Sequence, residues 1–426
     1  MTNNYRLALW LSSAGVAALA TASVAHAGAF ALREQSAYGQ GMAFAGIAAG
    51  GSLSSMFWNP ATLSAVEKFQ SESIVNIILP DSDVSLDPIA GLGFDGADEG
   101  DIARNALVPA SYYAYRLSDR IVLGLGVNAP YGLVTKYDDV SILRTFGVAG
   151  TSRIFTLNAN PAAAYQVNDW LSVALGAQVQ YIDLHYTSQA LPGFAGVGSL
   201  DGDDIGVGLT AGVQITPFAG TEIGLGYRSR IDHELEGDLN LRGGASIDAR
   251  AEDFDLPDLV TLGLRQSLTD RIRVSGGVEW SNWSRFESVQ LSGDGAEQPL
   301  DFNYEDGWFF SIGAEYDVTQ KITLRGGIGY EISPIDEETR TFRLPDNDRL
   351  WLSAGASYKP NDRWTIDAGY SYVASEDTDI LAAADGGPPA NGPFSGEADS
   401  HVHVISFAVK RKFGGSPRPE QQLVVK

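Results

Sequence analysis

Long segments of the chain alternate between apolar residues and polar or small residues with a period of two. In 205–215 every odd position is Ile, Val, Leu or Ala, and every even position is Gly, Thr or Gln. A period of two places successive side chains on opposite faces of a β-strand. Their length exceeds the ~5–6 residues usual in soluble sheets and fits the ~9–11 residues of a tilted membrane strand. Similar runs occupy 121–131, 155–167, 171–181, 272–281 and 308–317.

The connections between these runs alternate in length. Short turns, rich in the Asp, Asn and Pro that tight turns prefer, lie at 117–120, 167–170, 216–220, 268–271, 318–321 and 360–363. Long polar segments lie at 88–103, 138–152, 188–203, 237–255, 288–304, 335–347 and 376–399. Short periplasmic turns that alternate with long external loops are typical of a transmembrane barrel. The sequence therefore predicts an all-β fold, a 14-stranded antiparallel transmembrane β-barrel.

The predicted barrel covers 67–413. An even number of strands places both ends of the barrel in the periplasm, where a polar periplasmic tail, 414–426, follows Phe413. Aromatic residues near the short turns are expected to form a girdle at the membrane interface. The strands are expected at 67–87, 104–117, 120–137, 152–167, 170–187, 201–216, 220–236, 256–268, 271–288, 305–318, 321–334, 346–360, 363–376 and 400–413. The girdle residues are Tyr115, Tyr165, Trp170, Tyr227, Tyr316, Tyr358 and Trp364.

The first residues of the chain have the features of a secretory signal. Arg6 is the only charged residue before residue 33, an apolar run follows it, and Ala25-His26-Ala27 has the small-x-small pattern of a cleavage site. The prediction is a signal peptide over 1–27 and a mature chain that starts at Gly28; the alternative is an uncleaved anchor helix. The Gly-rich segment 28–66 does not alternate. It is expected to fold into the lumen as an N-terminal hatch, or plug.

Composition narrows the class of partner. The chain carries 29 Lys and Arg against 53 Asp and Glu, a net charge of −24, and it has no cysteine. Removing 1–27 takes away one positive charge, so the mature balance is 28 against 53, or −25. This sign argues against a nucleic-acid partner. It suits a surface that binds outer-membrane lipid and lipopolysaccharide through divalent cations, although soluble long loops alone would also explain it.

A series of short motifs follows the mature chain in order: Gly28-Ala29-Phe30, 36–41, Asn59-Pro60-Ala61, 130–133, Tyr227-Arg228-Ser229, Leu256-Pro257, 283–286 and 345–355. In order and spacing these motifs resemble the FadL family, the long-chain fatty-acid transporters of Gram-negative outer membranes. The resemblance covers nearly all of the mature chain. It implies an outer-membrane barrel closed by a hatch, a lateral opening in the wall, capture of the substrate by external loops and a pocket above the hatch.

The resemblance places the lateral opening at a kink in the third strand, at Pro130, Tyr131 and Gly132. The residue types agree, because Pro removes a ladder hydrogen bond and Gly leaves space. The alternative is a bulge near an outer strand end. Asn59-Pro60-Ala61 resembles the hatch element that lies against this kink, and its alternative is an ordinary Asn-Pro turn.

Two sets of apolar residues are candidates for contact with the substrate. The hatch-side apolar lining is Phe30, Leu32, Phe44 and Phe57. The loop capture site, suggested by apolar residues in exposed loops, is Ile142, Leu143, Phe146, Val148, Leu191, Phe194 and Val197. For the first set the alternative is packing between hatch and wall, and for the second it is packing of the loops on each other.

A fatty acid also needs a partner for its carboxylate. The possible carboxylate partners are His185, Arg228, Arg265, Arg273 and Arg325. The family's fatty-acid transporters place basic residues late in the fifth strand and in the loop after the ninth, where this chain offers only His185 and an acidic loop, 288–304. Aliphatic and aromatic hydrocarbons therefore remain open as substrates beside long-chain fatty acids.

The expected function is diffusion-driven uptake of a hydrophobic small-molecule ligand by a monomer in the outer membrane, without cofactor or metal. An enzyme is disfavoured because no nucleophile motif surrounds any serine. His401 and His403 share a strand face as a metal pair would, or are ordinary residues at the top of the last strand. A general porin is the stronger rival, and the segment 28–66 argues against it because a porin begins with a strand.

Overall fold

The computed structural model describes residues 28–89, 94–187, 190–191, 194–195, 197–241, 245–293, 296–382 and 391–414. The predicted signal peptide and 415–426 of the tail lie outside the described residues. Fourteen strands, five of them interrupted, form one sheet within the described part of the chain. They are β1 Phe69–Leu86, β2 Ala106–Arg116, β3 Ile121–Asn128 with Gly132–Lys136, β4 Thr151–Gln166, β5 Leu171–Thr187, β6 Val197–Ile215, β7 Thr221–Arg228 with Ile231–Leu241, β8 Ser246–Leu256 with Leu259–Ser267, β9 Ile272–Ser281 with Ser288–Gly293, β10 Ala296–Asp301 with Gly307–Asp317, β11 Ile322–Ile332, β12 Arg349–Asn361, β13 Trp364–Ser375 and β14 Gly396–Phe413.

The sheet closes into the predicted barrel. Neighbouring strands are antiparallel, and β1 pairs with β14 in continuous register from Phe69↔Phe413 to Leu86↔Gly396. Closure pairs the first strand with the last, so neither is left as a free edge strand in the lipid. Short additional strands, Ala97–Asp101 beside β1 and Thr378–Ile380 beside β14, extend the external side, and Ala190–Leu191 pairs with Phe194–Ala195 in a separate hairpin.

Side chains alternate across the wall as the period of two predicts. On β6 the outward Val207 and Leu209 are 71% and 65% exposed, whereas the inward Thr210 is fully buried. Exposed apolar side chains on the outside are what lipid requires, and polar ones are tolerated inside. Of the predicted girdle, Tyr227 lies higher on the wall, where its hydroxyl donates to Asp258 at 2.6 Å.

The prediction of loops at 237–255 and 288–304 was wrong. The chain there continues the wall as two hairpins, formed by the upper segments of β7 and β8 and by those of β9 and β10. Leu235 and Leu239 point inward and are buried, while Glu236 is exposed. Above the membrane the outer face meets water, so charged residues replace apolar ones there and hide the alternation.

Residues 28–66 occupy the lumen, a position consistent with the predicted hatch. They form a short helix, Ala37–Gln40, and three 3₁₀ turns, Ile47–Ala49, Leu53–Phe57 and Pro60–Ala65. The wall accommodates them through glycines: a Cβ at Gly224 or Gly226 of β7 would overlap the backbone carbonyl of Ala48 or Trp58.

The external end is covered by loops. Helix Ile142–Phe146 packs with buried residues of three other loops, and the Tyr137 hydroxyl donates to the Phe342 carbonyl at 2.7 Å. The loop after β11 folds over the lumen, since the Thr135 hydroxyl donates to the Arg343 carbonyl at 2.9 Å. Among the described residues no helix is long and apolar enough to cross a membrane.

Candidate functional site

The wall is interrupted between β2 and β3. These strands pair only from Arg116↔Val122 to Ser111↔Val127, and above Val127 strand β3 breaks at Pro130. Its upper segment continues beside β4, with a register shift between Asn128↔Asn158 and Gly132↔Phe155. The three residues predicted for a lateral opening, Pro130, Tyr131 and Gly132, therefore lie beside a gap in the ladder.

The first residues of the hatch bridge this gap from inside. The Leu32 amide donates to the Pro130 carbonyl and the Gly132 amide donates to the Phe30 carbonyl, each at 2.8 Å, and Ala31 pairs with Tyr131 in an antiparallel bridge. The segment acts as an added strand, and nothing in its alternation predicts this. We call residues 29–32 the bridging segment.

The bridging segment is anchored at its start. The Ala29 amide donates to the Asp346 carboxylate at 2.8 Å, and Asp346 also pairs with Arg349. Ala29 has a φ of 56°, a left-handed conformation that costs a non-glycine residue about 1–2 kcal/mol. The anchoring acid comes from the motif 345–355.

Asn59-Pro60-Ala61 does not lie against the kink, contrary to what the resemblance implied. The Asn59 side chain donates to the carbonyls of Ala48 and Val213 at 2.7 and 3.0 Å, beside Gly212 of β6. Asn59 also accepts from the Ala61 amide, as in an Asn-Pro turn. These bonds are to the hatch itself and to β6, three strands away from β3, and the bridging segment takes the predicted place at the kink.

Phe30 fills an aromatic chamber in the upper lumen. Its ring centroid lies 4.8 Å from that of Trp283 and 5.5 Å from that of Phe286. The rings of Phe254 and Tyr131 are 6.0 and 6.3 Å away. Buried aliphatic residues of β7 and β8 complete the enclosure. We define the aromatic chamber as Phe30, Tyr131, Phe254, Trp283, Phe286 and Tyr304.

The four residues predicted as hatch-side lining lie in two separate clusters. Only Phe30 belongs to the aromatic chamber, whereas Leu32, Phe44 and Phe57 lie in a separate apolar cluster between hatch and wall. Four members of the chamber were not among the predicted site residues: Phe254, Trp283, Phe286 and Tyr304. The spacing of Trp283 and Phe286, joined by a 3₁₀ turn at Trp283–Arg285, was the available signal.

Three of the predicted carboxylate partners lie below the hatch. Arg265, Arg273 and Arg325 border a cavity of about 940 Å³ between the underside of the hatch and the periplasmic turns. All three face Glu315, with nitrogen–oxygen distances of 3.2, 3.3 and 3.8 Å. Glu222, Asp317 and Asp367 give each arginine a second acidic neighbour. They are separated by the hatch from the aromatic chamber.

The remaining two candidates differ from each other. His185 lies on the outward side of β5 and pairs with Asp201, so it does not face the lumen. Arg228 is inward, 4% exposed, and donates to the Phe57 carbonyl at 3.0 Å and to Gln178. Among the ion pairs formed by the described residues, none includes Arg228. Arg228 thus differs from the other four candidates, each of which pairs with an acid.

The predicted capture residues separate as well. Leu143 is fully buried in the external cap, with Ile142 and Val148 packed against it, whereas Phe146 is 66% exposed. The Phe146 ring lies 5.5 Å from that of Phe394. The side chains of Leu191, Phe194 and Val197 lie outside the described residues.

The residues considered for metal binding form no such site within the described chain. The rings of His401 and His403 lie 5.6 Å apart beside Tyr372. No group of three or more His, Asp or Glu residues that could hold a metal ion occurs in the ranges that the structure covers.

A closed barrel with a filled lumen and a bridged gap in its wall defines an outer-membrane transport protein. A family model described as "Outer membrane protein transport protein (OMPP1/FadL/TodX)" matches residues 18–413, and the chain belongs to this family. It is thus an outer-membrane barrel that transports hydrophobic compounds. Family members are transporters rather than enzymes, in agreement with the expectation for this chain.

Relatives and solved structures agree with this assignment. The 47 kDa outer membrane protein of Pasteurella multocida is 29% identical, covering 83% of this chain and 88% of the relative. The long-chain fatty acid transport protein of Escherichia coli is 26% identical, with coverage of 85% and 90%. A Pseudomonas aeruginosa FadL homologue (24% identity, TM-score 0.79) and the Pseudomonas putida toluene transporter TodX (18%, 0.68) each cover 91% of this chain, over the whole of their own, and show the shared fold.

Proposed function

We propose that the protein takes up long-chain fatty acids by diffusion, with the acyl tail in the aromatic chamber and exit through the gap between β2 and β3. The observation that carries this proposal is the continuity of Phe30 with the bridging segment. The Phe30 ring occupies the chamber, while the Phe30 carbonyl accepts a hydrogen bond from the Gly132 amide. A tail that displaces the ring therefore pulls directly on the bonds that close the gap.

The energetics favour such coupling. Burying an acyl tail gains about 0.8 kcal/mol per CH₂ group, so a long tail offsets both the lost Phe30 contacts and three bridging interactions. The strained Ala29 conformation lowers the cost of releasing the segment. Exit into the bilayer also keeps the tail out of water.

Arg228 favours a substrate with a carboxylate head group, because Arg228 is a buried cation with no ion-pair partner among the described residues. Uncharged hydrocarbons are the second candidate. They are favoured by the apolar and aromatic make-up of the chamber itself and by the acidic partners that occupy the other four predicted cations.

The test is uptake of radiolabelled oleate and toluene by cells that lack their own transporter. The wild-type protein should restore oleate uptake, and a Pro130→Ala, Gly132→Val variant should fold but lose it. Uptake of toluene without oleate would support the proposed route but identify hydrocarbons as the substrates. Neither uptake, together with high ion conductance, would identify a porin instead.

A further inference from the structure

The wall has a second interruption, between β6 and β7. The ladder runs from Ile215↔Ile223 to Thr210↔Arg228, and resumes only from Asp203↔Glu236 to Val197↔Leu241. Between these stretches 204–209 faces 229–235 without ladder pairs. We call this region the seam. The other side of β6 stays paired with β5 throughout, so the seam is a local parting of two strands.

The seam lies at the outer end of the apolar band, with apolar outward residues on β6 and the exposed Asp232 and Glu234 on β7. Ile205, Val207 and Leu209 point outward from it and are 64%, 71% and 65% exposed. Backbone groups that lose their hydrogen-bond partners in hydrocarbon are strongly destabilised, so a parted ladder here requires replacement bonds. The two strands would not stay parted in lipid if their backbone groups had no other hydrogen-bond partners.

The replacement bonds are three side-chain bonds and one backbone bond at the lower end of the seam. The Leu209 amide donates to the Ser229 hydroxyl, and the Ser229 amide donates to the Leu209 carbonyl, each at 2.8 Å. The amide of Gln178 donates to the carbonyls of Leu209 and Ser229 at 3.2 Å. Side-chain rotation can break the three bonds made by Ser229 Oγ and Gln178, so further parting of the seam then costs the single backbone bond between Ser229 and Leu209.

Outside the seam is a notch of about 640 Å³. Val179, Val207 and Leu209 give it an apolar floor that faces the lipid. Its external rim carries two ion pairs, Arg230 with Asp232 at 2.9 Å and Arg285 with Asp258 at 3.6 Å. An apolar floor beneath a charge-balanced polar rim fits a chain with an apolar tail and a polar end.

Behind the seam is the wall of the upper lumen. Ile231 and His233 lie over Gly206 on the lumen side, and His233 is held by Asp204 at 2.7 Å. Further along, Leu235 joins the apolar cluster that contains Phe30. Side chains of β7 therefore separate the notch from the aromatic chamber.

We propose that the seam is a second lateral site, at which an apolar acyl or alkyl chain inserts between β6 and β7. It is distinct from the gap between β2 and β3, which the bridging segment closes. That the inserted acyl or alkyl chain is the transported molecule rests on the proposed function. The insertion itself does not depend on that function.

Insertion is tested by labelling a Ser229→Cys variant of the full chain in lipid vesicles, because the native chain has no cysteine. N-dodecylmaleimide dissolved in the lipid should label it at least tenfold faster than a charged, water-soluble maleimide, and oleate should slow that labelling. The matched control is Ser406→Cys, an inward residue in a continuously paired part of the wall, which the lipid reagent should not reach. Equal labelling of the two variants, or labelling only from water, would overturn the proposal.

Passage is tested by closing the seam. A Cβ at Gly208 would lie 2.9 Å from the Ser229 hydroxyl oxygen, close to the geometry of a disulfide, so Gly208→Cys with Ser229→Cys should cross-link. The oxidised protein should lose at least half of its initial uptake rate, and reduction should restore it. Unchanged uptake in the cross-linked protein would exclude the seam from the route. If the wild type takes up neither oleate nor toluene, the proposed function fails, and the labelling still decides whether a chain enters the seam.

Discussion

Ala31 and Tyr131 form an antiparallel bridge that joins the start of the hatch to the broken third strand. Bridged residues lie at a spacing that a disulfide can span. An Ala31→Cys, Tyr131→Cys variant should therefore lock the bridging segment over the gap. We expect oxidation to lower the initial rate of oleate uptake at least tenfold and reduction to restore it. Tyr131→Cys alone, treated with the same oxidant, is the control, and full uptake by the cross-linked protein would contradict exit through this gap.

Much of the fold could be predicted because a membrane strand must alternate. The order and number of strands followed from the period of two and from the alternation of short and long connections. The upper segments of β7 to β10 were missed because their outer faces meet water. Asp238, for example, occupies an outward position that Leu225 occupies lower on the same strand.

The candidate site could be predicted only where a single residue type is enough to interrupt the strand ladder. Pro130 marks a broken ladder by itself, since it has no N–H. The bridging segment has no such mark, because Ala31 becomes a strand residue only through its partner Tyr131. The seam is hidden for a related reason: 205–215 alternates without interruption, and the parting depends on where β7 runs.

Phe30 should compete with ligand for the aromatic chamber. Phe30→Ala leaves space among Trp283, Phe286 and Phe254, so an apolar ligand enters without displacing a ring. We expect about tenfold tighter oleate binding, measured by the change in Trp283 fluorescence, with Trp283→Phe identifying that signal among the other tryptophans. Stability should fall by about 3–5 kcal/mol. Phe44→Ala, a similar loss in the other cluster, should destabilise the protein without changing affinity. Unaltered affinity in Phe30→Ala would place the ligand elsewhere.

Arg228 should distinguish acids from hydrocarbons. Replacing it with Gln removes the charge but keeps a polar side chain beside Gln178. Oleate binding to Arg228→Gln should weaken about tenfold or more, the loss of one charge-assisted bond, while toluene binding is unchanged. Arg265→Gln, below the hatch, is the control and should leave oleate affinity intact. An equal loss for both ligands would show that Arg228 acts only by holding Phe57.

Glu315 should hold the hatch in place from below. It accepts from the Tyr38 hydroxyl at 2.7 Å and faces three arginines. Glu315→Gln leaves these buried cations short of a counter-charge, which we expect to cost about 3–5 kcal/mol and to raise ion conductance in planar bilayers. Asp317→Asn is the control, because Asp317 is more exposed and its one ion pair within the described part of the chain is with Arg273. A wild type that already conducts like an open pore would argue against a plugged lumen.

The closed hatch should weaken as pH rises, because of Glu34. Burial raises the pKa of this carboxyl from 4.5 to about 7, against the smaller opposing effects of its own backbone N–H, Arg33 and Arg349. The acid is 1% exposed, and one of its oxygens has no hydrogen-bond partner within the described structure. Its neutral form therefore suits the closed hatch, which gains from it fully below about pH 4.5, loses that gain progressively as pH rises through 7, and has lost it above that. The shift corresponds to roughly 3 kcal/mol.

Channel openings in planar bilayers should therefore become roughly tenfold more frequent or more between pH 5.5 and pH 8, as this linkage requires. Glu34→Gln keeps the shape of the side chain and cannot ionise, so its opening frequency should stay low and flat across the same range. Glu67→Gln, at an exposed site just after the hatch, should behave like the wild type. If the wild type and Glu34→Gln responded alike to pH, another group would have to control the hatch.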